Sequence, residues 1–332
     1  MAEKPNTNVL CSMNWGRSYG KRVRAFSRRK LLEALPILLL DLTLFSCGTF
    51  DNDFRRLEED LSPNLLIADK DSIEFEGLGH KQSMVFYENI ALFLYETSCD
   101  LFDLSSLKKV SILTLPCDGY LTPHANSLSL GVNKYSQLSV LPLLYVSAWD
   151  NGRQAFVYDI ALIDGRYQGR LIQVIDPGNV SSDIIGDGFL DWVIDTDSEC
   201  MYSIAYHLKG SSQLYSGNYM HITKFAIPSL ESQSVILSDS DVLDSFSVPV
   251  MTVFQDKCYY DGHIFVAAGH PGLGVVFDPK IFDIDLKNKT VIETLIPIEG
   301  EPEGLCVYEG TKWLNFYGSS KVYNLDSLLR KL

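Results

Sequence analysis

Short apolar runs separated by polar turns recur along the chain from about residue 82 onward. Residues 281–310, IFDIDLKNKTVIETLIPIEGEPEGLCVYEG, show the pattern: an alternating run, a polar turn, a second alternating run and a Pro-Glu-Gly step. Alternation with a period of two is typical of β-strands with one buried face. Asn, Asp, Ser and Gly fill the turns because they tolerate tight backbone angles. The pattern therefore predicts β-hairpins over most of the chain.

The hairpins form a longer repeat. Each repeat contains four strand-like runs, and the third run has the form LFDL, VYDI, IFDI or VYNL. First runs begin near residues 82, 126, 191, 255 and 303, which gives spacings of 44, 65, 64 and 48. The four complete repeats are Lys81–Pro116, His124–Asp176, Leu190–Asp239 and Val253–Ile298. Four-stranded repeats arranged around an axis make a β-propeller.

A fifth repeat begins at PEGL and ends one strand short. The run Asn64–Gly77, just before the first repeat, can supply the missing outer strand and so remove a free sheet edge. We therefore predict an all-β fold, a single β-propeller over residues 64–332 with four-stranded antiparallel blades. Five blades are favoured, and the two long spacings leave room for a sixth. A two-sheet sandwich is the weaker alternative because it predicts no four-strand period.

Residues 1–47 differ from the rest of the chain. Seven basic residues between Arg17 and Lys30 precede the apolar stretch Leu31–Phe45, an order typical of an export signal. The stretch ends in LFSC, which resembles a bacterial lipobox with Cys47 as the residue to be lipidated. Residues 48–63 then read as a tether. This predicts a lipid-anchored protein of the bacterial cell envelope, on its periplasmic or outer face. The alternative is that the leader forms an amphipathic helix that packs on the propeller.

Charge narrows the choice of partners. The chain of 332 residues carries a net charge of −14. Its first 47 residues contain eight Lys or Arg and three Asp or Glu, so the remainder carries −19. Nucleic acid binding needs basic side chains to neutralise phosphates, which an acidic body does not supply. We expect no nucleic acid partner, and a membrane contact only through the lipid.

Three stretches resemble exported β-propeller lipoproteins of Bacteroidetes, which share their layout with TolB-like, NHL-like and SMP-30-like propellers. They are LFSC at the end of the leader, FDIDLKNKTVIETL followed by GEPEGL, and DWVIDTDSECMYSIAY. The resemblance covers roughly residues 64–327 as architecture. It implies an anchored envelope propeller and says little about a reaction.

Polar residues recur at the start of every predicted inner strand, where a propeller opens into its central channel. The predicted ligand-binding residues are Gln82, His124, Asn126, Asp191, Trp192, Gln255, Glu301 and Glu303. Convergent polar groups in a concave site are typical of ligand binding. Asn126, Asp191 and Glu303 would offer oxygen ligands to a hard cation such as Ca²⁺. A channel filled with water is the structural alternative.

Two functions follow from these residues. The first is a binding or scaffold module that recognises a peptide, a glycan or an envelope protein. The second is a divalent-metal-dependent hydrolase, because SMP-30-like lactonases use a comparable set of Glu, Asn and Asp, for which Glu303 and Asn126 are candidates. Plant-type glutaminyl cyclotransferases also carry a Gln near the start of an inner strand, as Gln82 does here. Whether the chain is an enzyme stays open at this point.

Overall fold

The computed structural model describes residues 67, 69–116, 125–148, 153–186, 189–207, 219–250, 254–270 and 278–330. The predicted leader, Cys47, the tether and His124 lie outside these residues, so their predicted roles stay predictions. No helix within the described ranges is long and apolar enough to cross a bilayer.

The described residues form five small sheets of mainly antiparallel strands. In chain order the strands are β1 (Ser72–Glu74), β2 (Ser83–Tyr87), β3 (Ile90–Tyr95), β4 (Ser98–Asp103), β5 (Lys108–Thr114), β6 (Ala125–Leu130), β7 (Leu144–Ala148), β8 (Ala155–Ile163), β9 (Arg166–Asn179), β10 (Leu190–Asp195), β11 (Cys200–His207), β12 (Tyr219–Ala226), β13 (Ser234–Ser238), β14 (Val242–Pro249), β15 (Phe254–Tyr260), β16 (His263–Ala268), β17 (Lys280–Asp285), β18 (Thr290–Leu295), β19 (Pro302–Tyr308), β20 (Thr311–Phe316) and β21 (Lys321–Asn324). Two short helices, α1 (Ser182–Ile185) and α2 (Leu325–Leu329), and a 3-10 helix at Asp239–Asp241 accompany them.

Each sheet is one blade of a propeller. From the inside outward, blade one is β2-β3-β4-β5, blade two β6-β7-β8-β9-β13, blade three β10-β11-β12-β14, blade four β15-β16-β17-β18 and blade five β19-β20-β21-β1. The inner strands β2, β6, β10, β15 and β19 neighbour one another in that order, and β19 returns to β2. The predicted five-bladed propeller is confirmed, and the six-bladed and sandwich alternatives are wrong.

The predicted closure of the last blade is also confirmed, by a strand of three residues. Ser72, Ile73 and Glu74 of β1 pair antiparallel with Tyr323, Val322 and Lys321 of β21. The next residue, Phe75, is fully buried. Its ring lies 5.9, 5.0 and 5.2 Å from the ring centres of Phe86, Phe93 and Phe102 of blade one. The N-terminal strand thus fastens blade five to blade one by backbone pairing and by aromatic packing.

One strand assignment is wrong. The run at Ser234–Ser238, expected as the outer strand of the third repeat, instead pairs in parallel with β9 of blade two. The outer strand of blade three is β14, which pairs with β12. Two features favour the pairing of β13 with blade two. The strand β9 has 14 residues and offers a free length of edge. The Gln173 amide also donates to the Ser229 and Ser232 carbonyls, just before β13, at 2.7 and 2.8 Å. The extra strand accounts for part of the long repeat spacing.

Candidate functional site in the central channel

Three of the five inner strands carry a β-bulge at the same position. In β6 the pairing passes from Ala125 to Ser127 and skips Asn126. In β15 it skips Gln255, and in β19 it skips Glu303. Each skipped residue is the second of its strand. A bulge leaves one residue unpaired and re-aims its side chain, and bulges are frequent beside functional sites.

The three bulge residues are buried and only partly satisfied. Asn126, Gln255 and Glu303 are 2 %, 1 % and 2 % exposed. Both polar atoms of the Asn126 amide, Gln255 Oε1 and Glu303 Oε2 have no hydrogen-bond partner among the residues that the structure describes. A buried polar atom without a partner costs about 1–3 kcal/mol, so its retention calls for a reason.

Gln255 belongs to a hydrogen-bonded cluster with Glu301, which precedes β19, and His270, which follows β16. Its Nε2 donates to the carbonyl oxygen of Gly269 at 3.2 Å and also to Glu301 Oε1. His270 Nδ1 donates to the same Glu301 oxygen. The Glu301 carboxylate therefore links blades four and five through side-chain hydrogen bonds.

Glu303 lies beside Glu301 and holds its proton more tightly than an ordinary glutamate. Burial raises the pKa of the Glu303 carboxyl well above its usual range, and the negative charge of Glu301 and a hydrogen bond with it raise the pKa further. Desolvation disfavours the charged form of an acid, and a second carboxylate nearby disfavours it again. The two carboxyls thus form a coupled acidic pair at the head of β19.

A second polar group ties the inner strands together. Asp256, the residue after the bulge in β15, accepts a hydrogen bond from the backbone N–H of Leu305 at 2.6 Å and one from Ser83 Oγ at 3.5 Å. Ser83 Oγ in turn accepts from the N–H of Leu128 at 3.1 Å. These bonds connect blade four with blades five, one and two. Charge-assisted hydrogen bonds of this kind are stronger than neutral ones.

Lys257 completes the contacts of β15 by pairing with Asp191 of blade three. Lys257 is fully buried and Asp191 is 4 % exposed. The Lys257 ammonium is thus a cation that Asp191 already contacts. In the described part of the chain no group of three or more His, Cys, Asp or Glu side chains could hold a metal ion. The predicted calcium set of Asn126, Asp191 and Glu303, which includes an amide, stays a prediction.

Two other predicted residues make local contacts. Gln82 Oε1 accepts from the backbone N–H of Glu96 at 3.3 Å, within its own blade. Trp192 is fully buried, and its Nε1 donates to the Arg153 carbonyl at 2.9 Å. Both side chains therefore already have polar partners that serve the fold.

Sequence reasoning missed Lys257 and His270. A signal for Lys257 exists, since three consecutive polar residues, Gln255 to Lys257, interrupt the apolar run FQDKCYY. Such a run does not fit an alternating strand, and all three side chains are buried. His270 follows β16 and gave no sequence signal, because its partner Glu301 lies 31 residues away.

No family model and no curated protein matches the chain. Three solved structures are similar in fold, each over 76 % of this chain. Glutaminyl cyclase from Myxococcus xanthus aligns with a TM-score of 0.43 at 13 % identity over 92 % of its own length. The β-propeller domain of Cps50 (Swd1) from Myceliophteria thermophila gives 0.38 at 7 % over 98 %. Virginiamycin B lyase from Staphylococcus aureus gives 0.33 at 13 % over 96 %. Likenesses this distant carry no argument about a ligand or a reaction.

Proposed function

We propose that this propeller is a binding module whose central channel recognises a polar ligand, or a polar group of a peptide, a glycan or an envelope protein. The observation that carries the proposal is the set of three bulges. Asn126, Gln255 and Glu303 are each buried, and each keeps at least one polar side-chain atom that no described residue contacts by a hydrogen bond. A propeller that needed only to fold would gain from satisfying or replacing these atoms.

The bulged strands differ from a regular inner strand at the same position. Asp191 occupies the corresponding position of β10, where the pairing with Ile204 is regular. That strand uses its carboxylate for the ion pair with Lys257. Among the described residues, the three bulge side chains keep unpartnered polar atoms, whereas the Asp191 carboxylate is held by the Lys257 ammonium. This division of roles supports a recognition site over a channel lined by chance.

The test is a ligand screen on the full chain. Amino acids, short peptides and oligosaccharides are added singly, and the melting temperature is measured. We expect at least one class to raise the melting temperature in the native chain, and the effect to disappear in Asn126→Ala or Gln255→Ala. Asn133→Ala and Gln137→Ala are matched controls because both side chains are exposed. Stabilisation that persists in the channel variants would contradict the proposal, and so would a screen without any stabilising compound.

We further propose that the module is held at the bacterial envelope by lipid on Cys47, as in exported propeller lipoproteins. The order of basic residues, apolar stretch and LFSC supports this. Two or more acyl chains anchor stably, since each buried CH₂ contributes about 0.8 kcal/mol. Metabolic labelling with an alkyne fatty acid should mark the native chain and not Cys47→Ala, whereas Cys11→Ala should label normally. Labelling that survives Cys47→Ala would refute the lipid anchor at Cys47 and would leave the proposed binding site unaffected.

A further inference from the structure

The side-chain amide of Gln255 has one orientation. Its Nε2 donates to the Gly269 carbonyl oxygen and to Glu301 Oε1. Turning the amide over would place Oε1 against those two oxygens, which are acceptors. Oε1 of Gln255 is therefore a buried acceptor, and no described residue gives it a partner.

Glu303 provides a second buried acceptor next to the first. Its Oε2 has no partner in the described part of the chain, while its carboxyl is hydrogen-bonded to Glu301. Glu301 is in turn bonded to Gln255. The two unpartnered oxygens thus belong to side chains that are joined through one carboxylate. Both of these oxygens are hydrogen-bond acceptors, so a ligand bound to them would have to supply the donors.

Acidic groups also outnumber basic ones at the heads of β10, β15 and β19. The carboxyl side chains there are Asp191, Asp256, Glu301 and Glu303, and the lysine is Lys257. Lys257 is already paired with Asp191. His270 donates to Glu301, and the Arg153 guanidinium beside the start of β10 donates to the Gly186 carbonyl. A site rich in acceptors and in negative charge favours a ligand that is cationic and donates hydrogen bonds.

We propose that the ligand presents a primary ammonium group to Gln255 Oε1 and Glu303 Oε2, with its charge balanced by Glu301. This inference rests on the proposed function and names the chemical class of its ligand. An ammonium has three donors and no acceptor, which matches the two buried acceptors Gln255 Oε1 and Glu303 Oε2. Calcium fits less well because it takes about six to eight oxygen ligands. An anion would meet the carboxylate of Glu301 and be repelled.

Four simple probes test the proposal with the full chain by calorimetry at neutral pH and constant ionic strength. Butylammonium has both the charge and the donors. Tetramethylammonium has the charge without donors, and N-butylacetamide has a donor without charge. Calcium chloride tests the rival cation. We expect saturable binding of butylammonium and clearly weaker binding of the other three.

Variants then locate the binding. Glu303→Gln and Gln255→Met should each weaken butylammonium binding by about tenfold or more, as expected when one partner of a buried charged contact is lost. Glu299→Gln removes the same charge from an exposed side chain two positions before Glu301 and should leave binding unchanged. The melting temperature of each variant shows that it is folded.

Each contrary result points to a different error. Equal binding of tetramethylammonium would overturn the role of hydrogen-bond donors, and equal binding of N-butylacetamide would overturn the role of charge. Calcium binding without butylammonium binding would overturn the proposal in favour of a metal site. If butylammonium does not bind, but a neutral compound binds and loses its effect in Asn126→Ala, the inference fails while the proposed function stands.

Discussion

The ammonium of Lys257 and the carboxylate of Asp191 form an ion pair between the inner strands of blades four and three, away from solvent. Such a pair adds little net stability because both groups lose their hydration. Removing one partner is costly, since it leaves a buried charge. The pair therefore favours one alignment of the two blades over others.

Lys257→Met should lower the free energy of unfolding by about 3–5 kcal/mol, because Asp191 would remain buried and charged. The double variant Lys257→Met/Asp191→Leu should recover much of that loss. Urea denaturation of the native chain, both single variants and the double variant gives the coupling between the two residues. Additive losses in the double variant would contradict a specific ion pair.

Asp256 should be sensitive to the smallest change of its carboxylate. In the native chain the Asp256 carboxylate accepts hydrogen bonds from the Leu305 N–H and the Ser83 hydroxyl. Asp256→Asn replaces one of the two acceptor oxygens by an NH₂ donor, which would then face one of these donors. We expect a loss of about 1–3 kcal/mol in the free energy of unfolding. The exposed Asp278 supplies the control, because Asp278→Asn should change stability by less than about 0.5 kcal/mol. Equal effects of the two substitutions would show that Asp256 does not fasten the inner strands.

Much of the fold could be predicted because alternation and turn residues act locally. The inner strands begin at Ser83, Ala125, Leu190, Phe254 and Pro302, each within one residue of the predicted starts. The missing fifth-blade strand was predictable from closure, since a propeller with an unpaired edge invites association. These inferences need only the period of the sequence and the rule that blades close.

The crossing of β13 and the contacts of the site could not be predicted in the same way. A run such as SVILS is strand-like on any edge, and its choice of β9 depends on the length of that strand and on Gln173. Bulges at Asn126, Gln255 and Glu303 depend on the pairing register of neighbouring strands. The pairing of Glu301 with His270 depends on the path of the chain after β16. Each of these is a tertiary relationship without a local pattern.

Phe75 should contribute more to closure than the short pairing of β1 suggests. Its fully buried ring contacts three aromatic rings of blade one. Phe75→Ala should cost about 3–5 kcal/mol. It should also speed hydrogen exchange at β21, whose partner strand would detach. Glu76→Ala changes an exposed residue just after Phe75 and should do neither. Unchanged exchange in β21 of Phe75→Ala would mean that the backbone pairs alone close the ring.

The acidic pair should make stability fall as the pH rises above about 5. In the unfolded chain Glu303 loses its proton around its ordinary pKa of 4.5, whereas the folded chain keeps it because burial and Glu301 raise the pKa. Between those two pKa values the unfolded state binds fewer protons, so a rising pH favours unfolding. Gln255 and His270 both form hydrogen bonds with Glu301, the carboxyl next to Glu303.

Glu303→Gln removes this titration while it keeps the size of the side chain. We expect the variant to lose less stability than the native chain between pH 5 and pH 8, when urea midpoints are measured at several pH values. Glu299→Gln, an exposed change of the same charge, should follow the native curve. Parallel curves for the native chain and Glu303→Gln would mean that Glu303 is already ionised when folded. The coupled pair at the head of β19 would then not hold the proton that its burial implies.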